Sequence, residues 1–421
     1  MNKILDNILN RVIVAGTLTV TWAKGETTRY GSGNGHSAHL IFRTEAAEKA
    51  VMKNPALRFG EVFMDGGIDF VGGPMGFLLL VNENWNSIFG SAWVRRFSRL
   101  QRNWKNFWER NNLKRARQNV AHHYDLDDRL YRLFLDSDRQ YSCAYFERPE
   151  TDLEEAQWAK KRHLAAKLEI EPGQKVLDIG CGWGGLGLFI ADQTGADVTG
   201  VTLSTEQHKV ANQRASDKGL SSRTRFELRD YRSLETKFDR IVSVGMFEHV
   251  GTRHYREFFQ QVARLLKDDG VMVLHSIGRS DGPGSTNPWI LKYIFPGGYI
   301  PALSEVLPAI EEAGLVVTDI EILRLHYAKT LKAWRERFLA HREEAKAVYD
   351  ERFCRMWEFY LCGSEAAFIN GGMMNFQIQL VKDQNVLPLT RDYMFEADRA
   401  MDAAHRQIES GTLEGFRLAG E

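Results

Sequence analysis

The sequence predicts an α/β protein whose larger domain is a doubly wound, largely parallel sheet with helical insertions, preceded by a small α+β domain. An apolar run from Val176 to Ile179 stops at several glycines, and apolar residues at helical spacing follow it. This pattern predicts a strand, a tight turn and a helix. Short apolar runs then alternate with helical patterns as far as about residue 323, which is typical of a parallel sheet.

Length and composition set only broad limits on function. The chain has 421 residues, enough for two domains, and its 55 Lys and Arg balance its 55 Asp and Glu, so net charge favours no class of partner. The four cysteines have neither paired spacing nor histidines at zinc-finger spacing; they are Cys143, Cys181, Cys354 and Cys362. We expect reduced thiols and no metal site.

The beginning of the chain does not resemble a signal peptide. Residues 1–11 are amphipathic and include Asp6, without the long apolar core of a signal peptide. The longest apolar run nearby, Phe77 to Val81, is far too short to span a bilayer. The sequence therefore predicts a cytoplasmic protein that at most associates peripherally with the inner face of the membrane.

Residues 1 to about 90 predict a small α+β unit. A short helix carrying Ile4 and Leu5 precedes a strand from Thr17 to Trp22, and a Gly/Ser loop leads to a short strand ending at Phe42. A helix over about 44–54 and the glycine-punctuated stretch 60–71 follow. We expect the glycines to mark hairpins.

The composition changes between Trp93 and Arg117, where nine basic residues face one acid, Glu109, and aromatic residues recur at largely helical spacing. A basic helix with an aromatic face is the pattern expected at an anionic membrane surface. An interdomain linker helix and a nucleic-acid contact are the alternatives. We expect residues 1–117 to form a lipid- or membrane-engaging domain ending in this basic helix, with no nucleic-acid partner.

A catalytic domain is predicted over 118–382. Thr151 and Glu154 have the form of a capping box and should begin a helix toward Leu168. The predicted strands lie near 175–179, 196–202, 223–228, 238–244, 270–276, 315–323 and 374–381. Apolar insertions at about 278–310 and 331–368 suggest a roof over an apolar substrate, and a tail over 383–421 carries one helix of unassigned function.

The glycine turn after the first strand of this domain predicts a ligand. Gly180, Gly182 and Gly185 fit the dinucleotide pattern, but the next strand ends at Thr202 without the acid that such cofactors require on a ribose. Asp178, just before the turn, is better explained by S-adenosylmethionine (SAM), whose cationic methionine end needs a nearby carboxylate. The sequence thus predicts a Rossmann-like sheet of the SAM-dependent methyltransferase type. An oxidoreductase and a ligand-free turn are the alternatives.

Several motifs in order along 118–382 resemble the cyclopropane fatty acid synthases, including the mycolic acid cyclopropane synthases. The matching stretches are His123-Tyr-Asp125, Tyr141-Ser-Cys-Ala-Tyr-Phe146, Leu177-Asp-Ile-Gly-Cys-Gly-Trp-Gly184, Thr202-Leu-Ser204 with Gln207, Phe247-Glu-His-Val-Gly251, Phe295-Pro-Gly-Gly298, His326-Tyr327 and Tyr360-Leu-Cys-Gly363. The first domain matches more loosely, and the tail lies outside the pattern.

This resemblance implies transfer of the SAM methyl carbon to a cis double bond of an unsaturated acyl chain, in most bacteria within a membrane phospholipid. The resulting carbocation loses a proton and closes to a cyclopropane. In similar enzymes the base is a bicarbonate ion, which the resemblance assigns to Glu248, His275, Tyr327 and the backbone at Cys143 and Ile277.

The resemblance also implies positions for the cofactor. Asp178, Gly180 and Gly182 would form its turn, and Thr202 and Gln207 would replace the usual acid on the ribose. Asp230 with Tyr231 would frame the adenine, and Tyr141 with Ser142 would close over the methionine end. The absent acid after the second strand departs from the general methyltransferase pattern and agrees with this family.

Some of these side chains have simpler interpretations. Glu248 could cap a helix, His275 could be a hydrogen-bonded core residue, and Tyr327 could serve packing alone. Cys362 matches a cysteine often regarded as an active-site residue in the family, although a buried structural thiol is the alternative.

Two alternatives to a cyclopropane synthase remain. One is a related enzyme that makes methyl- or methylene-branched chains, and the other is a non-enzymatic lipid-binding protein. The sequence is also compatible with a homodimer, and it leaves chain length, double-bond position and head group undetermined.

Overall fold

The computed structural model describes residues 2–85, 87 and 128–409. These form two compact units that are discontinuous in sequence. The first unit comprises Met1–Leu135, Ile277–Leu303 and Arg324–Met374, and the second comprises Asp136–Ser276, Ser304–Leu323 and Asn375–Glu421. The basic segment 93–117 and the motif His123-Tyr-Asp125 lie outside the described residues. The domain boundaries 1–117, 118–382 and 383–421 stay a prediction.

The N-terminal part of the first unit is the expected α+β fold. Its strands are β1 (Thr17–Thr21), β2 (Thr27–Tyr30), β3 (Ser37–Phe42) and β4 (Ile68–Phe70), in the spatial order β2-β1-β3-β4. Its helices are Lys3–Val12, Glu45–Lys53, Pro55–Met64 and Met75–Glu83. Leu18 and Val20 on β1 and Leu40 on β3 are buried against these helices, because alternate residues of a strand face the same side.

One expectation in this region is wrong. Gly60 does not mark a hairpin, because it lies inside the helix Pro55–Met64. A Cβ atom at Gly60 would lie 2.5 Å from Nε1 of Trp289, a residue of the same unit. The glycine therefore permits close packing of an aromatic ring on the helix, which a sequence pattern alone does not distinguish from a turn.

The later segments of the first unit are mainly helical, as the insertion pattern predicted. The helices are Asp128–Phe134, Pro288–Tyr293, His326–Ala340, Arg342–Val348 and Glu351–Asn370. Arg355 connects the last of them to the N-terminal fold by donating to the carbonyl oxygen atoms of Phe63 (2.6 Å) and Ile68 (2.5 Å) and to the carboxylate of Asp69 (2.8 Å).

The second unit is built on a seven-stranded sheet, and all seven predicted strands are confirmed. The strands are β5 (Lys175–Ile179), β6 (Asp197–Thr202), β7 (Thr224–Leu228), β8 (Phe238–Val244), β9 (Leu266–Arg279), β10 (Val316–Ile322) and β11 (Met373–Val381). The helices of this part of the chain are Leu153–Leu168, Gly185–Thr194, Thr205–Asp217, Tyr255–Leu265, Leu303–Glu312 and Asp392–Glu409.

The strand order of this sheet is β10-β11-β9-β8-β5-β6-β7. The strands from β5 to β9 are parallel, whereas β10 and β11 pair antiparallel. The chain runs outward from β5 through β6 to β7 and then returns to β8 on the other side of β5. In open α/β sheets, ligands bind at the carboxyl ends of the strands beside such a switch point. The geometry therefore places the expected ligand beyond the ends of β5 and β8.

The helix Leu153–Leu168 begins one residue later than the capping-box pattern suggested. Asp152 is the N-cap residue, and its carboxylate accepts a hydrogen bond from the backbone N–H of Glu155 at 2.9 Å. The hydroxyl of Thr151 instead accepts from the backbone N–H of Arg148 at 3.2 Å. Both residue types cap helices, so the tertiary structure decided between neighbouring candidates.

The C-terminal helix Asp392–Glu409, to which no sequence pattern assigned a function, packs on the helix Leu153–Leu168. Arg162 is only 2% exposed, and it donates to Asp398 at 2.6 Å and contacts Asp402 and Glu147. Trp158 of the same helix stacks on His405, with 4.0 Å between ring centroids. Among the described residues, no helix has the length and apolarity needed to cross a bilayer.

We predict that Asp398→Asn combined with Asp402→Asn lowers the free energy of unfolding by on the order of 2 kcal/mol, because a buried guanidinium loses charged partners. Glu147 remains, so the loss should be smaller than for removal of every partner. Urea unfolding measures the change. Glu396→Gln, at an exposed position of the same helix, is the matched control. Equal stability of the double variant and the control would contradict this account.

Candidate functional site

The turn after β5 has the geometry of a ligand-binding loop. Gly180 and Gly182 have φ values of +84° and +53°, which glycine adopts without strain. A Cβ atom at Gly180 would lie 2.8 Å from Cβ of Met246, which follows β8, so a side chain there would collide. A Cβ atom at Gly182 would meet nothing within 4 Å. The turn thus passes close to the end of β8 and leaves open space beside Gly182.

Asp178 precedes this turn and is 1% exposed. Its Oδ2 atom is buried and has no hydrogen-bond partner among the described residues. Burial raises the pKa of Asp178 to about 7, and the positive charge of Lys160 opposes this rise. A buried carboxylate with an unsatisfied oxygen suits a cationic ligand group, so the site fits the amino group or sulfonium of SAM.

Thr202 and Gln207, the residues expected at the ribose, are in contact. The Thr202 hydroxyl donates to Oε1 of Gln207 at 2.9 Å, and both side chains are buried. Ser204 caps the following helix by accepting from the backbone N–H of Gln207 at 3.3 Å. This arrangement fixes the amide of Gln207, whose nitrogen is the group suited to donate to a sugar hydroxyl.

Asp230 and Tyr231 follow β7 and lie near the Thr202–Gln207 pair. The backbone N–H of Arg229, the residue before Asp230, donates to the carbonyl oxygen of Thr202 at 3.1 Å. Arg232 donates to both carboxylate oxygens of Asp230, at 2.9 and 2.8 Å. The ring of Tyr231 packs edge-on against Phe258. Asp230 is therefore held by an ion pair, and its contact with the adenine stays a prediction.

The segment from Gln140 to Cys143 is tied to the helix Leu153–Leu168. Lys160 donates to Oε1 of Gln140 at 2.5 Å and to the hydroxyl of Ser142 at 2.9 Å. Gln157 donates to the carbonyl oxygen of Ser142 at 3.0 Å. The resemblance implied Tyr141 and Ser142 for the methionine end of the cofactor, whereas no motif indicated Gln140, Gln157 and Lys160. Lys160 opens the charged run Lys160–Arg162, which resembles a solvated helix face in the sequence.

Glu248 lies in a short 3-10 helix, Phe247–His249, directly beyond β8. It is 8% exposed, and the ring of Phe247 beside it stacks on Tyr255 with 4.3 Å between centroids. The next helix, Tyr255–Leu265, has His254 at its N-cap position, so Glu248 does not cap that helix. Glu248 is therefore not the N-cap residue of this helix, and its catalytic role stays a prediction.

His275 lies beside the end of β8, where the backbone N–H of Gly245 donates to its carbonyl oxygen at 3.0 Å. The strand is longer than the predicted 270–276, because β9 continues to Arg279, so His275 does not lie at its end. The imidazole is fully buried, with its two nitrogens 3.3 Å from the amide nitrogen of Asn375 and 3.1 Å from that of Gln377.

A neutral imidazole has one N–H and one lone pair, so only one of these two amides can donate to the ring. The other amide must turn its oxygen toward the imidazole N–H, and the oxygens of both Asn375 and Gln377 are buried without partners among the described residues. Burial lowers the pKa of His275 to about 3. A cationic His275 is therefore disfavoured, while its predicted contact with a bound anion stays a prediction.

Three other predicted residues, Ile277, Tyr327 and Cys362, belong to the first unit. Tyr327 is buried, with its ring centroid 4.8 Å from that of Phe368. Cys362 lies in the helix Glu351–Asn370, and burial raises the pKa of its thiol. Cys143, in the second unit, is also fully buried. This burial disfavours nucleophilic thiolates and agrees with roles of position for both cysteines.

The comparisons with known proteins assign the family. The family described as mycolic acid cyclopropane synthetase matches residues 111–378. The chain belongs to this family. A family described only as a domain of unknown function matches residues 4–91 of this cyclopropane synthetase family member.

Two curated relatives and one solved structure show the extent of the similarity. The Escherichia coli cyclopropane-fatty-acyl-phospholipid synthase is 44% identical over 58% of this chain and 63% of its own length, slightly under two thirds. Tuberculostearic acid methyltransferase UfaA1 of Mycobacterium tuberculosis is 32% identical over 90% of this chain and 91% of its own. The mycolic acid cyclopropane synthase CmaA1, solved with SAH and CTAB, has a TM-score of 0.60 at 35% identity, covering 63% of this chain and 97% of its own. The fold is that of a SAM-dependent methyltransferase.

We predict that Asp178→Asn stabilises the ligand-free protein at pH 8 while weakening binding of S-adenosylhomocysteine (SAH). In the folded protein the pKa of Asp178 is about 7, above the ordinary value of 3.8, so Asp178 keeps its proton until the pH approaches 7. The unfolded chain releases this proton first, so stability falls as pH rises from about 4 through about 7. The asparagine should abolish this loss, which is on the order of 2–4 kcal/mol.

Thermal unfolding at pH 5 and pH 8 and calorimetric SAH binding measure the two effects. Asp197→Asn, at an exposed position on β6, is the control and should change neither. A stability difference between pH 5 and pH 8 that is the same for wild type and Asp178→Asn would overturn the account.

Proposed function

We propose that this protein transfers the methyl carbon of SAM to the cis double bond of an unsaturated phospholipid acyl chain and forms a cyclopropane ring. Membership of the cyclopropane synthetase family, with a buried Asp178 beside an open glycine turn, carries this proposal. The printed activity of the Escherichia coli relative supports the phospholipid substrate.

When bound, SAM supplies an electrophilic methyl group on a sulfonium. The residues of this chain orient it. Asp178 would attract the cationic methionine end, the Thr202–Gln207 pair would position the ribose, and Ser142 would lie beside the methionine end. Preorganised contacts of this kind lower the barrier because little rearrangement remains for the reaction itself.

Ring closure requires a group that removes a proton from the transferred carbon. Glu248 is a buried carboxylate at the carboxyl edge of the sheet, where such a group is needed. The resemblance implies that a bicarbonate ion is this base, and Glu248 and the backbone at Cys143 are the groups proposed to bind it. Two anions repel at short range, and a neutral His275 offers no charge to offset this. A proton shared between Glu248 and the ion therefore fits the site better than a histidinium. The assignments of Tyr327, Ile277 and His275 to this ion stay predictions.

We predict that Glu248→Gln lowers turnover by about 10²-fold or more with little change in SAH affinity, because it keeps the shape of the side chain and alters the proton pattern. Bicarbonate-depleted buffer should slow the wild type, and added bicarbonate should restore the rate. Glu257→Gln, at an exposed position on the neighbouring helix, is the matched control. Near-normal turnover of Glu248→Gln would remove Glu248 from the mechanism.

A second product class has support of its own. The tuberculostearic acid methyltransferase relative matches 90% of this chain, whereas the Escherichia coli relative matches 58%. A methyl- or methylene-branched chain would arise from the same cation by loss of a different proton or by addition of hydride. A non-enzymatic lipid-binding protein is disfavoured, because the cofactor turn and Asp178 are intact.

Incubation of the purified protein with SAM and vesicles of unsaturated phospholipid, followed by mass spectrometry of the fatty acids, tests the proposal. Addition of one CH₂ with loss of the double bond supports cyclopropane formation. A retained alkene or a saturated methyl branch supports the second class. Hydrogenation of the sample distinguishes the retained alkene, which takes up hydrogen, from a ring. Absence of SAM consumption would leave the lipid-binding protein.

We further propose that the protein associates peripherally with the inner face of the membrane, because its substrate is insoluble. The basic segment 93–117 is the candidate contact, and each Lys or Arg near an anionic surface contributes on the order of 1 kcal/mol. A homodimer would carry two such basic segments, one from each chain.

We predict that reversing Arg95, Arg96, Arg99 and Arg102 to Glu weakens sedimentation with anionic vesicles and leaves SAH affinity unchanged. High salt should reduce the wild-type binding in the same way.

The control reverses four exposed basic residues outside this segment, which gives the same change in net charge; they are Lys49, Lys218, Arg225 and Lys237. Equal sedimentation of both variants would show that net charge, and not the segment, governs the association.

A further inference from the structure

Lys160 is a fully buried lysine beside the cofactor turn, and neither the family resemblance nor the proposed function gives it a role. It lies in the helix Leu153–Leu168 and is 0% exposed. Its ammonium donates to Oε1 of Gln140 at 2.5 Å and to the hydroxyl of Ser142 at 2.9 Å. Both acceptors are neutral. A buried ammonium usually contacts a carboxylate, so its position among neutral acceptors calls for an explanation.

The first contribution of Lys160 is mechanical. Gln140 and Ser142 flank Tyr141, and the backbone carbonyl oxygens of Gln140 and Ser142 both accept from Gln157, one turn before Lys160, at 3.2 and 3.0 Å. The helix therefore holds this segment through both its side chains and its backbone. On the other side of the segment, Cβ of Ser142 lies 3.9 Å from the Cβ position at Gly245, just beyond β8. Lys160 thus fixes the segment at the carboxyl edge of the sheet.

The second contribution is electrostatic. Lys160 is the charged group that opposes the rise in the pKa of Asp178. It acts across a distance, since Oδ2 of Asp178 has no hydrogen-bond partner among the described residues. A charge in a buried site of low polarity acts more strongly than at the surface, because water does not screen it.

We propose that Lys160 is a positioning residue of the cofactor site, whose ammonium holds Gln140 and Ser142 in place and whose charge favours the ionised form of Asp178 that a cationic ligand group requires. The proposal rests on the proposed function only in requiring that the cofactor bind beside Asp178. Lys160 itself need not touch the cofactor.

The pH dependence follows from the groups around Lys160. Asp136, Asp138 and Cys143 favour its charged form, whereas burial and Lys161 lower its pKa to about 8. His275 is also near, and burial keeps it neutral at neutral pH. Binding should strengthen as pH rises through the pKa of Asp178, about 7. Without the charge of Lys160 the pKa of Asp178 rises, so the same strengthening should occur at higher pH.

The test measures calorimetric binding of SAH between pH 5.5 and pH 9 by wild type, Lys160→Gln and Lys160→Met. Gln removes the charge and keeps a donor, whereas Met removes both. We expect both variants to bind less tightly at pH 7, by about fivefold if the pKa of Asp178 rises by about one unit, and to approach wild type near pH 9. Lys160→Met should retain an additional loss at every pH, because Gln140 and Ser142 lose their donor.

Lys167→Gln is the matched control, because Lys167 is a buried lysine of the same helix that pairs with Glu321 at 2.5 Å. It should leave the pH profile of SAH binding unchanged. In the Asp178→Asn background, Lys160→Gln should no longer shift the profile, since the group that responds to the charge is gone. A shift that persists there would overturn the electrostatic part of the proposal.

The outcomes separate this proposal from the proposed function. Failure of the wild type to bind SAH would overturn the function itself. Wild-type binding with an unaltered profile in both Lys160 variants would overturn the role of Lys160 alone. If neither variant folds, Lys160→Arg replaces them, because it keeps the positive charge and the donor. It should bind SAH with the wild-type pH profile, and a profile shifted to higher pH would overturn the electrostatic part of the proposal.

Discussion

The burial of Asp178 is the constraint on which the rest of the second unit depends. A buried carboxylate with an unsatisfied oxygen is costly, and burial raises the pKa of Asp178 to about 7. A cationic ligand group would recover this cost on binding, which is the role proposed for Asp178. The open space beside Gly182 and the close approach of Gly180 to Met246 give such a ligand a place next to the acid.

The helix Leu153–Leu168 packs in one core cluster with β5, the strand that carries this acid. It is buried around most of its circumference although it carries Lys160, Lys161, Arg162, His163 and Lys167. Each of these side chains has a partner within the second unit. Lys160 donates to Gln140 and Ser142, Lys161 to Asp138 and Arg162 to Asp398. His163 and Lys167 both contact Glu321. Buried charges are tolerated only when paired or hydrogen-bonded. The C-terminal helix is therefore a structural part of the second unit, because it supplies the acids that Arg162 requires.

Burial also restricts the protonation states that the candidate catalytic residues can adopt. His275 is neutral and has an amide side chain at each ring nitrogen, so it can orient or donate but cannot supply a stable positive charge. The thiol of Cys362 is held in its protonated form by burial. Glu248 is then the residue best suited to manage the proton that ring closure releases. The reaction would proceed through a cation, which an apolar environment without water protects from capture.

The sequence by itself determined the α/β fold, the seven strands of the large sheet and the cofactor turn. These features follow from local patterns, namely apolar runs, helical spacing and glycines, whose meaning does not depend on distant residues. It also located Asp178 and Glu248, since strand ends in an open sheet converge on one edge. Gly60 was misjudged because a glycine that admits Trp289 and a glycine that forms a turn are identical in sequence. Only the tertiary structure decided that Lys160 and Arg162 are buried, that His275 lies between Asn375 and Gln377, and that the tail packs on the helix Leu153–Leu168. These contacts join residues up to 240 positions apart, and the burial of a charge depends on partners that no local pattern specifies.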